Sequence, residues 1–169
     1  DLKFRLLDGN QWVLADQNPD NFTLVVFYRG LHCPLCKKYL QQLQELLPEF
    51  EQRGINVVAV SMDSEKRARL SRQKWELSNL TLGYGLSEKS ARDWTLYLSA
   101  GVKDGEPSEF SEPGLFLIDN SNQIYYYQMA KFVSNHLKKV NLDSNSMSLL
   151  YIPEEIYIPP NDPNDFPIN

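Results

Sequence analysis

Residues 22–36 read FTLVVFYRGLHCPLC, and this stretch decides the predicted fold. Its first half, residues 22–28, is a continuous apolar run rich in β-branched and aromatic residues, which indicates a strand covered on both faces. The second half holds Cys33 and Cys36, the only cysteines of the chain, and Pro34 suits the first position of a helix. Two thiols at this spacing can form a disulfide, and a helix N-terminus favours the reactive thiolate. The stretch therefore predicts a redox-active cysteine pair at a strand-to-helix turn.

The flanking sequence predicts an α/β protein. Leucines recur at helical spacing up to residue 50, Gly54 is a natural helix end, and residues 55–62 form a second buried apolar strand. Strand, helix and strand in succession make a parallel βαβ unit. The other predicted elements are an N-terminal hairpin over 1–14, a helix over 65–76 capped by Asp63 or Ser64, a helix over 86–94 capped by Ser87, a polar loop over 99–113, paired strands over 115–119 and 124–129, and a helix near 131–140.

Composition limits the classes of function. The 169 residues, 42% of them hydrophobic, suffice for one domain with a core, which we assign to residues 1–150. Five prolines lie between residues 153 and 167, so residues 151–169 are expected to form a Pro-rich tail. The net charge of −5 argues against binding of nucleic acid. No apolar run approaches the roughly 18 residues of a membrane span, and without a signal-peptide pattern the cytoplasm is the expected compartment.

Simpler interpretations of these residues stand beside the redox one. Buried cysteines are often inert, although their spacing at a strand-to-helix turn favours chemistry. A structural zinc site needs four ligands, and only His32 and His136 are available to complete the cysteine pair. The basic run over residues 66–74 is interpreted as a solvated helix face with Glu65 paired to Arg69. The aromatic residues Trp75, Trp94 and Tyr125–Tyr127 are interpreted as core and sheet residues.

Three segments resemble the peroxiredoxin-like, AhpC/TSA-type branch of the thioredoxin-fold superfamily. Residues 26–36, VFYRGLHCPLC, are similar to the Phe-Tyr-Arg-Gly-x-x-Cys-Pro-x-Cys stretch of that family. Residues 57–64, VVAVSMDS, resemble the end of one of its strands, and residues 114–119, GLFLID, resemble a later strand. The resemblance covers roughly residues 1–130. It implies an α/β, thioredoxin-like three-layer sandwich with a central mixed sheet flanked by helices.

The resemblance also implies roles for the two cysteines. Cys33, at the exposed mouth of the helix, is expected to attack, and Cys36, one turn inward and more buried, to close the disulfide. If the substrate is a peroxide, Cys33 becomes a sulfenic acid that Cys36 condenses, as in an antioxidant peroxidase. If the substrate is a disulfide, the same pair exchanges through a mixed disulfide. In either case an external thiol donor, such as a thioredoxin or glutathione system, restores the dithiol, and no other cofactor is expected.

The chain departs from the family pattern at two positions. Gly30 stands where typical peroxiredoxins carry Thr, and Pro113 stands where they carry an Arg that donates to the peroxide oxygens. Proline at that place is typical of thioredoxins, usually in the cis form beside the disulfide, and the same role is expected here. Arg29 is either a compensating cation for the thiolate or one partner of a structural ion pair at the strand end. His32 either lowers the pKa of Cys33 when protonated or is a loop residue facing solvent.

Three functions follow from these observations. The first is a peroxiredoxin-like thiol peroxidase, and the second is a general thiol–disulfide oxidoreductase, which Gly30 and Pro113 favour. A hypothesis of another class is a non-catalytic binding protein on the same fold that docks through its Pro-rich tail. The sequence does not determine the oligomeric state, and a homodimer is a candidate by base rate alone, because closed twofold dimers are the commonest assemblies of soluble proteins.

Overall fold

The computed structural model of the chain describes residues 1–129. In chain order the elements are β1 (Lys3–Leu6), β2 (Gln11–Val13), a 3₁₀ turn (Leu14–Asp16), β3 (Phe22–Phe27), α1 (Pro34–Glu45), α2 (Leu47–Gln52), β4 (Ile55–Val60), α3 (Glu65–Lys74), β5 (Thr81–Tyr84), α4 (Glu88–Asp93), β6 (Leu98–Ala100), β7 (Glu109–Ser111), β8 (Gly114–Asp119) and β9 (Ile124–Met129). The helix near residues 131–140, His136 and the tail over 151–169 lie outside the described residues.

One mixed sheet organises the described chain. Its strand order is β2-β1-β5-β4-β3-β8-β9. The pairs β3–β4 and β4–β5 are parallel, and the remaining neighbours are antiparallel. The parallel pair β3–β4 encloses α1 and α2, which confirms the βαβ unit predicted from the sequence. β6 and β7 form a separate antiparallel ladder.

The two faces of β3 build two apolar layers. Leu24 and Val26 belong to a buried cluster that includes Leu40 of α1, whereas Val25 and Phe27 belong to a second cluster. α3 contributes to the first cluster through Ala68 and α4 to the second through Ala91. Complete burial of a large apolar side chain is worth about 1.5–3 kcal/mol, so burial on both faces fixes this strand at the centre of the sheet. The predicted α/β sandwich with a central mixed sheet and flanking helices is confirmed.

Local departures from the predicted elements have identifiable causes. The helix after the cysteines is interrupted at Leu46, because Pro48 cannot donate a backbone hydrogen bond and α2 restarts around it. The predicted polar loop over 99–113 contains β6 and β7 at its two ends. Strand β5 was not predicted, since four residues with a central glycine carry too little pattern. Gly83 is required there, because a Cβ atom would lie 2.4 Å from the Phe4 ring.

The aromatic residues divide between the core and the surface. Trp75 is buried, and Trp94 packs beside Phe27 with a ring separation of 5.7 Å. Tyr125, Tyr126 and Tyr127 are 39%, 41% and 58% exposed on β9. Their assignment to the sheet is confirmed, but the expectation that they are core residues is wrong. Within residues 1–129, β9 is an edge strand that pairs only with β8, and its tyrosines remain partly exposed there.

Candidate active site

The cysteine pair lies at the start of α1, after the turn that follows β3. Cys33 is the N-cap of α1, Pro34 begins the helix, and Cys33 and Cys36 are joined by a disulfide with their Cα atoms 5.2 Å apart. The backbone N–H of Cys36 donates a hydrogen bond to Sγ of Cys33 over 3.1 Å. The first turn of a helix leaves such N–H groups without backbone partners, so they are available to a sulfur that carries negative charge. The geometry brings the two predicted site cysteines together and aims a helix amide at Cys33.

The relative burial of the two sulfur residues differs from the sequence-based expectation. Cys33 is 4% exposed and Cys36 is 5% exposed in the disulfide form. The prediction of an exposed Cys33 above a more buried Cys36 is therefore wrong for this state. Leu31 and Leu35 pack against the same apolar cluster as the two cysteines, and they flank the pair along the chain.

The turn before Cys33 depends on Gly30 and on a buried aspartate. The N–H of Cys33 donates to the carbonyl oxygen of Gly30 over 3.0 Å, and Gly30 has φ +119°. A Cβ atom on Gly30 would lie 2.5 Å from Oδ2 of Asp63. That same oxygen accepts the N–H of Leu31 over 2.7 Å, while Oδ1 accepts Nε of Arg67 over 2.6 Å. The glycine in place of the family's Thr therefore makes room for the carboxylate that holds the active-site turn.

Asp63 is thus a site residue whose role the sequence interpretation missed. Ser64, not Asp63, occupies the N-cap position of α3, and the Ser64 side chain makes no capping hydrogen bond. Asp63 follows β4, the parallel neighbour of β3, so the carboxyl ends of the two strands bring it beside the turn at residues 30–33. The position after β4 was the available signal, because side chains that follow neighbouring parallel strands meet at one edge of the sheet.

Arg29 lies in an ion pair at the end of β3. Its Nε is 3.6 Å from Oε2 of Glu112, and its guanidinium carbon lies 4.5 Å from the centre of the Phe110 ring. Phe27 pairs with Gly114 in the antiparallel β3–β8 ladder, so continuing the register by two residues places Arg29 opposite Glu112. This contact is the ion pair at the strand end that the sequence predicted as one of two roles.

His32 is the second polar residue that packs on the Phe110 ring. The centres of the His32 and Phe110 rings are 4.6 Å apart, and neither ring nitrogen has a hydrogen-bond partner within residues 1–129. Burial and, second, the charge of Arg29 hold the pKa of His32 below its ordinary value of 6.5. The imidazole is therefore neutral near pH 7, which removes the predicted role of a protonated His32 in lowering the pKa of Cys33 under those conditions. It is half-buried and does not face solvent freely.

Pro113 stands directly before β8, as predicted, but its peptide bond is trans. No peptide bond within residues 1–129 is cis. The expected thioredoxin-like cis role of Pro113 is therefore wrong. The N–H of Glu112 donates to the carbonyl oxygen of Tyr97 over 2.7 Å, and Gly114 already pairs with Phe27, so the extended backbone passes from β7 to β8 without a reversal.

Within residues 1–129, no group of three or more His, Cys, Asp or Glu residues is arranged to hold a metal ion. No helix in that range is long and apolar enough to cross a membrane.

The overall architecture is similar to that of solved peroxiredoxins. The bacterioferritin comigratory protein of Xanthomonas campestris superposes with a TM-score of 0.65 at 23% identity, over 80% of this chain and 84% of that one. The peroxidoxin BcpB of Mycobacterium tuberculosis gives 0.61 at 17% identity, over 78% and 82% of the two chains. A 2-Cys peroxiredoxin of Plasmodium vivax gives 0.62 at 16% identity, over 86% and 74%. At these identities the likeness establishes the fold.

The family follows from the sequence itself. The model of the AhpC/TSA family matches residues 1–127. The chain belongs to the AhpC/TSA family. Its members are thiol peroxidases, so this peroxiredoxin-like chain is an oxidoreductase, and the family works by cysteine redox chemistry without a further cofactor. The resemblance stated from residues 26–36 is confirmed. No curated protein matches the chain in sequence.

Proposed function

We propose that Cys33 of this AhpC/TSA protein attacks a peroxide and that Cys36 resolves the product. The Cys33 thiolate attacks one oxygen of the O–O bond, the bond breaks, and the second oxygen leaves as water or an alcohol after it takes a proton. The resulting sulfenic acid on Cys33 is attacked by the sulfur of Cys36, which expels water and closes the disulfide. The peroxide gains two electrons, and the two thiols lose them.

One observation carries this assignment of roles. The Cys36 N–H that donates to Sγ of Cys33 over 3.1 Å belongs to the first turn of α1. A helix amide aimed at Cys33 favours its thiolate, whereas Cys36 lies inside the helix and has no equivalent position at the N-cap. The Cα separation of 5.2 Å lies within the range for a disulfide, so Cys36 can close the bond without a large backbone movement.

Arg29 and His32 are proposed as supporting groups. Arg29 is the cation nearest in sequence to Cys33 on the strand side, and it would take the electrostatic role of the arginine that Pro113 replaces. The neutral imidazole of His32 lies between that cation and Cys33 along the chain. Pro113 remains a predicted supporting residue, without the cis role.

An external thiol must return the disulfide to the dithiol. A thiolate of the reductant attacks one sulfur to give a mixed disulfide, and a second thiol releases the reduced protein. We propose a thioredoxin or glutathione system as this donor, and therefore the reducing cytoplasm as the compartment. We also propose a homodimer and a division into a redox domain over 1–150 and a Pro-rich tail over 151–169.

Trapping the intermediates tests the roles of the two cysteines. Reduced wild-type protein, Cys33→Ser and Cys36→Ser are each treated with one equivalent of hydrogen peroxide in the presence of a reagent specific for sulfenic acids. We expect the Cys36→Ser variant to carry the adduct on Cys33, the wild type to form the disulfide, and Cys33→Ser to do neither. An adduct that forms as readily on Cys36 of the Cys33→Ser variant would contradict the assignment.

A second function is favoured by the two departures from the family pattern. Gly30 and Pro113 stand in place of the threonine and the arginine that assist peroxide reduction in typical members. The same cysteine pair would then act chiefly in thiol–disulfide exchange. Rapid reaction of the reduced protein with a small disulfide, together with peroxide oxidation no faster than that of free cysteine, would favour this function. Slow reaction with both substrates would favour a non-catalytic binding protein.

A further inference from the structure

Glu112 is a fully buried carboxylate beside the redox site. It is 0% exposed, and its Oε1 accepts a hydrogen bond from Oγ of Ser99 over 2.6 Å. Its Oε2 makes no hydrogen bond within residues 1–129, and Nε of Arg29 lies 3.6 Å away. An ionised carboxylate without water is costly unless its charge is balanced. Burial accordingly raises the pKa of Glu112, while the Ser99 hydrogen bond and the charge of Arg29 oppose that rise.

The segment that carries Glu112 also carries the ring under Arg29. Phe110 lies on β7, and the guanidinium of Arg29 stacks 4.5 Å from the centre of its ring. β7 is held in place by its ladder with β6, in which Phe110 pairs with Ser99. Ser99 therefore holds both groups that restrain Arg29. Its backbone pairs with Phe110 in the β6–β7 ladder, and its hydroxyl donates to the carboxylate of Glu112.

The restrained guanidinium shares the Phe110 ring with the residue next to Cys33. His32, the residue before Cys33, shares the Phe110 ring with Arg29, and the charge of Arg29 lowers the pKa of that imidazole. Long arginine side chains lose considerable rotamer freedom when they are fixed in one place. A pairing carboxylate and a stacking ring supply that fixation in advance of the reaction, which is the condition for an effective fixed charge.

We propose that Glu112 is a positioning residue of the redox site, which pairs with Arg29 and holds its guanidinium on Phe110 so that its charge stabilises the Cys33 thiolate. The inference rests on the proposed roles of Cys33 and Arg29. Glu112 touches neither substrate nor sulfur in this assignment, and it acts through Arg29 alone. The charged groups that face it are Arg29 and, from the 101–108 loop, Glu106.

The sign of one pKa change separates this role from a purely structural one. Glu112→Gln keeps the size of the side chain and an oxygen that accepts from Ser99, but it removes the charge. Direct loss of a negative charge would lower the pKa of Cys33, whereas loss of the placement of Arg29 would raise it. We expect a rise of about one unit, the lower end of the effect of an opposite charge at close range.

The pKa is read from the pH dependence of Cys33 alkylation in a Cys36→Ser background, where Cys33 is the only thiol. This readout needs no peroxide, so it remains decisive if the wild type reacts with peroxide no faster than free cysteine and the proposed peroxidase function fails. Glu109→Gln, on β7 three residues before Glu112, is the matched control, because it removes an acidic charge but leaves the pair between Arg29 and Glu112 in place. The control should not raise the pKa.

The Arg29→Met background completes the test. There, Glu112→Gln should no longer raise the pKa of Cys33, because the residue through which it acts is gone. If Glu112→Gln fails to fold, Ser99→Ala keeps the buried carboxylate but removes its anchor, and it should raise the pKa in the same direction. A fall or no change in the foldable variant, an equal rise in Glu109→Gln, or a rise that persists without Arg29 would overturn the proposal.

Discussion

Replacement of Gly30 by Ala should destabilise the protein by about 3–5 kcal/mol. The backbone at Gly30 has φ +119°, and a side chain held in such a region costs about 1–3 kcal/mol. The new Cβ atom would also lie 2.5 Å from Oδ2 of Asp63, which must then move away. A shift of the Asp63 carboxylate would weaken or break the 2.7 Å hydrogen bond that it accepts from the Leu31 N–H. A hydrogen bond to a charged group is worth about 1.5–3 kcal/mol.

Urea unfolding of the oxidised protein measures this loss against a matched control. Gly9 has φ +94° and no atom within 4 Å of an added Cβ, so Gly9→Ala should cost only the backbone contribution of about 1–2 kcal/mol. In an Asp63→Ala background the collision is absent, so Gly30→Ala should cost no more than the control. An equal cost at Gly30 and Gly9, or full additivity with Asp63→Ala, would refute this reasoning. By the same argument, the family's Thr at position 30 should also lower the stability of this chain.

Three further predictions follow from the buried polar groups. Asp63→Asn should lose about 3 kcal/mol in urea unfolding, because it breaks the pair with Arg67 around a fully buried carboxylate, whereas Asp93→Asn on the exposed surface should lose at most about 1 kcal/mol. Burial raises the pKa of Glu112 in the folded protein, so its contribution to stability is complete below the unfolded pKa of 4.5 and is lost as the pH rises through the folded pKa. The free energy of unfolding of Glu112→Gln relative to wild type should therefore increase from pH 4.5 to pH 7. A decrease over that range would contradict the raised pKa. Burial and the charge of Arg29 lower the pKa of His32, so His32→Gln should leave the pH midpoint of Cys33 alkylation unchanged; a shifted midpoint would restore a charged role for the imidazole.

The central strand and the cysteine pair could be predicted from the sequence because their determinants are local. Residues 22–27 are apolar without alternation, which only a strand buried on both faces explains. Pro34 marks the start of α1, and the spacing of Cys33 and Cys36 then places both sulfurs in one helical turn. The contact between Glu65 and Arg69 on the basic run is local in the same way, and it is confirmed at 2.7 Å.

The polar residues around the pair could not be predicted, because their contacts join distant parts of the chain. Asp63 reaches the turn at Leu31 only through the β3–β4 pairing, and Glu112 reaches Arg29 only through the β3–β8 register. A residue at either position has no local pattern that distinguishes it from a surface carboxylate. The sequence could not predict whether the peptide bond before Pro113 is cis or trans. The two forms of an X-Pro bond differ by only about 0.5–1 kcal/mol, so the tertiary structure decides between them.

The burial of Cys33 illustrates the same limit. A helix N-terminus predicts that its sulfur meets backbone N–H groups, and the hydrogen bond from Cys36 agrees with that expectation. Its 4% exposure depends instead on how the apolar cluster closes over the pair, together with Leu31 and Leu35. Packing of this kind is a property of the assembled layers and not of the motif.

The most direct test of the account is the rate at which the reduced protein is oxidised by peroxide. Rapid mixing with hydrogen peroxide and, separately, with an alkyl hydroperoxide would be followed by tryptophan fluorescence, with mass spectrometry of the trapped products. We expect oxidation far faster than that of free cysteine, through a sulfenic acid on Cys33 to the disulfide with Cys36. Oxidation by both peroxides no faster than that of free cysteine would contradict it.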